Sequence, residues 1–284
     1  NFYLFKFIWS IKELLHQHIK YRIIKQMDFS IIINTHNQSK FLNECIKTCL
    51  NQNYSSYEII VVDTSKRPSK DKYKNTKKLK YFHIKEKFKK FPVLNQMYQI
   101  QYGFFKSKGK YICLLDGDDK FSNLKLNNLS KILGQTKNKI VQDVPYLFSN
   151  TSEKKSKIKL YKNNILFKKI LVSWPQIFGT SSISCSREIL YKFFKKGKPF
   201  CWNYLAIDIK LILFAHTQFD MISLQKKLTM KRVHNANLDK TFSNLISISF
   251  WKRRKMQIEY DFFLKKKNII NLDYLITKII NVIL

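Results

Sequence analysis

Three carboxylates in four residues, Asp116, Asp118 and Asp119, follow the apolar run of YICLLDGDDKF at 111–121. The chain around them has 53 Lys+Arg and only 19 Asp+Glu. A D-x-D step on a turn can aim two carboxylates at one point, and Gly117 removes the side chain between them and permits unusual dihedrals. Like charges held this close are costly unless a cation sits between them. A hard divalent ion, Mg2+ or Mn2+, is the natural partner, bridging to substrate phosphates. The plain alternative is a solvated turn, where Asp and Gly are common. An EF-hand loop is excluded, because the twelfth position counted from Asp116 is Asn127 rather than Glu.

The elements around the cluster decide its setting. FSIIIN (29–34) and YEIIVVD (57–63) read as buried strands, apolar on both faces, and KYFHI (80–84) as a shorter third. Between the first two, SKFLNECIKTCLNQ (39–52) carries Phe41, Leu42, Cys45, Ile46, Cys49 and Leu50 at helical spacing. A helix over 93–109, closed by Gly109, then leads into the strand KYICLLD (110–116). Strand and helix alternating in this way predict an α/β fold with a mostly parallel central sheet. Ligands of such sheets bind at the carboxyl ends of strands, which gathers Thr35, Asp63 and 116–119 on one rim.

Composition sets the outer limits. The 284 residues, 45% hydrophobic and 15% aromatic, suffice for one large domain with a proper core. A formal net charge of +34 suits a polyanionic partner, whether nucleic acid, an anionic membrane surface or a phosphorylated substrate. The lysines are dispersed along the chain, as a general compositional bias would also produce, and do not by themselves recommend a nucleic-acid fold. Cys45, Cys49, Cys113, Cys185 and Cys201 form no CxxC pair, so neither a zinc ribbon nor a disulfide framework is expected, and reduced thiols in a cytosol are. No run of 18 apolar residues predicts a membrane span, and the N-terminus, which lacks Met, does not read as a signal peptide.

SIIINTHNQSKFLNECIKTCLNQNYSSYEIIVVDTS (30–65), together with SKGKYICLLDGDDKF (107–121), resembles the family 2 glycosyltransferases. GTSSISCSREIL (179–190), NYLAIDIKLILFAHTQFD (203–220) and KLTMKRVHNANL (227–238) extend the resemblance. The resemblance implies a GT-A nucleotide-diphospho-sugar transferase fold over 28–240, with helical extensions at 1–27 and 241–284. It also implies sugar transfer from a nucleotide-diphosphate donor to an acceptor hydroxyl with inversion, in surface polysaccharide or lipopolysaccharide synthesis. By the same match Thr35 and Asp63 line the nucleotide pocket, and Asp116 lies against the ribose or the metal shell. Asp118 ligates Mn2+ or Mg2+, and Asp208 is the catalytic base. Arg232 or His234 is offered to the diphosphate. Thr64 stands where the family often has a carboxylate that reads the nucleobase.

The expected partners are a sugar-nucleotide donor and a glycan or lipid-linked acceptor, without nucleic acid. Residues 2–26 set Phe2, Phe5, Ile8, Trp9, Leu15 and Ile19 among basic side chains, as a helix lying in a membrane interface does. Packing against the catalytic domain or a second subunit accounts for the same pattern. The expected place is the cytoplasm, with peripheral contact to the inner face of the cell membrane. Beyond 240 the chain reads as helices, the last with Leu272, Leu275, Ile276, Ile279 and Ile283 on one stripe, which packing onto the catalytic domain or a subunit accounts for more readily than an in-plane membrane contact. A rival reading is a basic peripheral protein that binds anionic membrane or nucleic acid on a degenerate GT-A fold without turnover. A nucleotidyltransferase is disfavoured, because NTHNQSK is not the Gly-rich basic loop that follows its first strand.

Overall fold

The computed structural model describes residues 27–68, 73, 75–134, 139–149, 153–154, 172, 174–234, 247–266 and 271–283. The helix expected over 2–26 and the boundary expected at 240 lie outside these residues.

The strands read from sequence are present: β1 (Phe29–Thr35), β2 (Tyr57–Asp63), β3 (Leu79–His83) and β4 (Tyr111–Asp116). They pair in parallel in the order β4-β1-β2-β3. Every residue of β1 and of β2 is buried, as the continuous β-branched runs require. Alternation along the strands splits the core into two layers. Ile31, Ile33, Ile59, Val61 and Leu115 pack with α1 (Ser39–Leu50) on one face. Ile32, Ile112 and Leu114 pack with α2 (Pro92–Lys106) on the other. Cys45 and Cys49 are buried in the first layer as packing residues, and all five thiols are free.

Helix α2 ends three residues earlier than the sequence suggests. Ser107 adopts an extended conformation and its hydroxyl donates to the Phe104 carbonyl at 2.7 Å. Gly109 is needed for another reason: a Cβ there would come within 2.4 Å of the Ser30 backbone nitrogen. The strand entry to β4 runs against β1 with no room for a side chain.

Three further strands complete the sheet: β6 (Lys139–Asp143), β9 (Ile183–Ser186) and β10 (Asp220–Leu224). The full order is β10-β6-β9-β4-β1-β2-β3, with β9 antiparallel to both neighbours. Helices α3 (Lys125–Leu133), α4 (Arg187–Lys196) and α5 (Ile207–Gln218) cover it. A second, small sheet joins β5 (Lys120–Phe121), β7 (Tyr146–Phe148), β8 (Glu153–Lys154) and β11 (Thr229–Arg232). It brings β11 beside the 116–119 turn.

The C-terminal helices are α6 (Ile248–Lys265) and α7 (Leu272–Ile283). Tyr260 of α6 is fully buried, meets the Trp202 ring edge to face and donates to the Gly197 carbonyl at 3.1 Å. Arg254 holds both oxygens of Asp273 at 2.7 Å, fastening α7 to α6. No helix among the described residues is long and apolar enough to cross a membrane.

Candidate active site

A cleft of about 750 Å3 opens at the carboxyl ends of β1 and β4. Asp116, Asp118 and Asp119 enter it from the β4 turn, and Asp208 from the first turn of α5. The first turn of α2 adds Asn95 and Gln96, β11 adds Lys231, and α6 adds Arg253 and Gln257. The structure therefore brings together three of the residues singled out from sequence, Asp116, Asp118 and Asp208. Thr35 and Asp63 are not among the lining residues. Both are buried behind the wall, where Thr35 accepts from Gln99 through its carbonyl. Asp63 accepts from the Ser65 amide at 2.7 Å and from the Tyr81 hydroxyl. Their polar groups are consumed in shaping the ends of β1 and β2.

The DGDD turn is held by backbone and by three side chains that carry no motif. Gly117 N–H donates to the Asn34 carbonyl at 2.9 Å, and Asp119 N–H to that of Asp116 at 3.0 Å. A Cβ on Gly117 would lie 2.7 Å from Thr35 Cβ and Oγ1, so the turn closes this tightly only with glycine. Asn34 and Gln96 both donate to Asp116 Oδ1, at 2.9 and 2.7 Å. Ser181 accepts from the Asp116 amide at 3.0 Å and donates to Asp119 at 2.6 Å. Behind Ser181 the fully buried Lys125 pairs with Asp143 at 2.9 Å and donates to the Ser181 carbonyl.

Strand alternation separates Lys231 from Arg232. Lys231 lines the cleft, and its charge favours the ionised form of Asp116. Arg232 is buried: its amide donates to Asp119 and its Nε to the Asp118 carbonyl. Its guanidinium pairs with Glu44 between the rings of Phe41 and Phe148, 4.5 and 4.4 Å from their centroids. Of the two residues offered to the diphosphate, His234 is the one whose side chain meets the Asp118 carboxylate, with Nε2 2.8 Å from Oδ2. Asp208 sits where a helix N-terminus favours negative charge, and its Oδ1 accepts from the Ile209 amide at 2.8 Å.

The acids strain against one another. Burial, and then the charge of Asp118, push Asp116 up to about 6. Burial, Asp118 and Asp116 push Asp119 well above the usual range. For Asp116 the folded value exceeds the ordinary 3.8, so the native protein holds this proton more tightly than the unfolded chain. The stability it lends is complete below the unfolded value and is lost as pH rises through about 6. Asp116→Asn is therefore expected to stabilise the ligand-free protein at about pH 7.5 by on the order of 1–3 kcal/mol. That corresponds to a melting temperature higher by at least ~2 °C, shrinking towards pH 4. Equal melting of the two proteins at about pH 7.5 would contradict the repulsion.

Among the described residues, no group of three or more His, Cys, Asp and Glu forms a ready metal cage. Asp116 and Asp118 nonetheless bring two carboxylates into the cleft from one turn. Carboxylate oxygens are the donors that suit Mn2+ or Mg2+, and Mg2+ is commonly held by one or two carboxylates plus substrate phosphates. The raised carboxyl of Asp116 marks negative charge that a cation would relieve.

A Rossmann-like half-sheet with acids at its carboxyl rim, joined to an antiparallel β9 and a small side sheet, is the GT-A arrangement of glycosyltransferases. Residues 30–197 match the family model Glycosyl transferase family 2, and the chain belongs to that family. It is 26% identical over 240 residues to an uncharacterized glycosyltransferase of Rickettsia bellii (strain RML369-C), covering 78% of this chain and 31% of that protein. It is 23% identical over 248 residues to the O-antigen biosynthesis glycosyltransferase WbnJ of Escherichia coli, covering 85% and 91%. The chain thus spans about a third of the length of its Rickettsia relatives. Among solved structures, S. aureus TarS 1–349 in complex with UDP-GlcNAc superposes with a TM-score of 0.58 at 15% identity, covering 90% of this chain and 70% of TarS. The mannosyltransferase PcManGT from Pyrobaculum calidifontis, in complex with GDP-Man and Mn2+, gives 0.53 at 13%, covering 90% and 70%.

Proposed function

We propose that this chain moves a sugar from a nucleotide-diphosphate donor to an acceptor hydroxyl with inversion, in surface polysaccharide or lipopolysaccharide synthesis. The observation that carries the reading is the convergence of Asp116, Asp118 and Asp208 in one cleft. The E. coli relative's place in O-antigen biosynthesis supports the pathway class.

Each residue has a role in this reading. Asp118, with Asp116 beside it, would hold Mn2+ or Mg2+. The ion supplies charge neutralisation of the diphosphate leaving group. Lys231 adds a second positive charge on the same wall. Asp208 accepts the proton of the acceptor hydroxyl as that oxygen attacks the anomeric carbon, one displacement from the side opposite the leaving group. Asn34, Gln96 and Ser181 fix the acids before substrate arrives. Thr35 and Asp63 support the nucleotide end from behind. The test is release of nucleoside diphosphate from UDP-, GDP- and dTDP-sugars with Mn2+ and with EDTA. Absence of metal-stimulated release with every donor would sink the reading.

We also assign a peripheral membrane contact to α7. Leu272, Leu275, Ile276, Ile279, Val282 and Ile283 are exposed along one stripe, on a chain of net charge +34. Such a helix lies in an anionic interface with its apolar face inserted. The full chain is expected to float with anionic vesicles and to be released above about 0.5 M salt, where screening is strong. A variant carrying Ile276→Asp and Ile279→Asp should stay down while binding nucleotide normally. Flotation of that variant would remove α7 from the contact.

A further inference from the structure

Lys125 is wholly buried at the first residue of α3. A cation there carries two costs: it leaves water, and it meets the positive end of the helix dipole. Its ammonium donates to Asp143 Oδ1 at 2.9 Å, to the Ser181 carbonyl at 2.9 Å and to Thr229 Oγ1 at 2.7 Å. Asp143 is buried too, and it accepts from the Leu228 amide at 3.1 Å. Thr229 Oγ1 lies 3.1 Å from both Asp143 Oδ1 and the Ser181 carbonyl. The one hydroxyl proton can serve only one of them, so Lys125 is the group that reaches all three. A single charge pair thus ties together α3, the end of β6, the 180–182 turn and the start of β11.

Two of those segments hold the cleft acids. Asp119 accepts from the Ser181 hydroxyl at 2.6 Å and from the Arg232 amide at 2.8 Å. Ser181 lies in the 180–182 turn and Arg232 at the end of β11. Lys125 grips both segments, one by the Ser181 carbonyl and the other by Thr229. Asp119 in turn closes the loop that presents Asp118, through its amide on the Asp116 carbonyl. A buried ion pair adds little net stability over apolar residues of the same size. What this pair supplies is a fixed spacing between the two donors of Asp119.

We propose that Lys125 and Asp143 are a positioning pair for the cation site: acting through Ser181 and β11, they set the turn that presents Asp116 and Asp118, and with it the affinity for a divalent ion. This rests on the metal role read for Asp118, and the experiment separates the two. Mn2+ alone is titrated into the full chain, with free Mn2+ measured by its electron paramagnetic resonance signal. The parent should bind, and Asp118→Asn should not. Lys125→Met combined with Asp143→Leu removes both charges and strands neither, so the melting temperature should stay at or above that of the parent. The Mn2+ dissociation constant of that double variant should nonetheless rise by roughly 10–100-fold, the range for groups that orient metal ligands from behind. A role in folding alone would leave Mn2+ binding unmoved in a protein that melts like the parent, and that result overturns the proposal. Should the double variant melt below the parent or fail to fold, Thr229→Val decides. It removes only the hydroxyl that Lys125 meets on β11, and should weaken Mn2+ binding by roughly ten-fold, the low end of the same range; parent-like affinity there overturns the proposal. In either case the metal role of Asp118 stands. A parent that binds no Mn2+, or unchanged binding in Asp118→Asn, would overturn that role and this proposal with it.

Discussion

Asp208→Asn is expected to lower turnover by roughly 10²–10⁴-fold, the range for loss of a general base, with sugar-nucleotide affinity close to that of the parent. The expectation comes from position. Asp208 occupies the first turn of α5, in the same cleft as the β4 acids but on a different element. A carboxylate in the first turn of a helix meets backbone N–H groups that favour its negative form, the form that accepts a proton. The asparagine keeps size and an oxygen that can accept from the Ile209 amide, so folding is expected to be unaffected and the loss should appear in kcat rather than KM. Parent-like turnover would move the base elsewhere. Asp220 is the next acid along the chain, but it is exposed at the start of β10 and does not line the cleft.

Asp118→Asn has the second large expected effect. Asp118 faces His234 and lies next to two acids whose protonation it already disturbs. Removing its charge takes away a metal ligand, and with it the neutralisation of the leaving group. Transfer is expected to fall by at least ~10²-fold, as when one electrostatic stabiliser of a transition state is lost, and EDTA should do the same to the parent. The ligand-free melting temperature should not fall, because the change relieves repulsion on Asp116 and Asp119. A variant with full activity, or a parent indifferent to chelation, would take the metal role from this residue.

The parts legible in the sequence are those with a strong local signature. Strands β1, β2 and β4 are buried on both faces, so they appear as unbroken apolar runs, and their acids stand out because the chain is otherwise basic. Helix α1 showed its face through the spacing of Leu42, Cys45, Ile46 and Cys49. The rest depends on long-range pairing. Strand β9 is four residues, ISCS, and runs against its neighbours. The strands of the side sheet have two to four residues each and are drawn from three separate stretches of the chain. Ser181 and Gln96 hold the acids but are common residue types in unremarkable surroundings. Lys125 looks like any surface lysine until Asp143, 18 positions later, pairs with it inside the protein. Arg232 was offered to the diphosphate by its motif, and the two-residue period of β11 turned Lys231 to the cleft instead. The contribution of Arg253 and Gln257 follows from α6 folding back over α5, which no local pattern announces.

The claim at the centre of this account is that the DGDD cleft binds a nucleotide diphosphate through a divalent ion held by Asp118. Calorimetric titration of UDP and GDP into the protein, with Mn2+ and then with EDTA, tests it directly. The account predicts binding of at least one nucleotide in Mn2+, lost in EDTA and lost in Asp118→Asn. Binding that is the same in all three conditions, or no binding of either nucleotide in Mn2+, would contradict it.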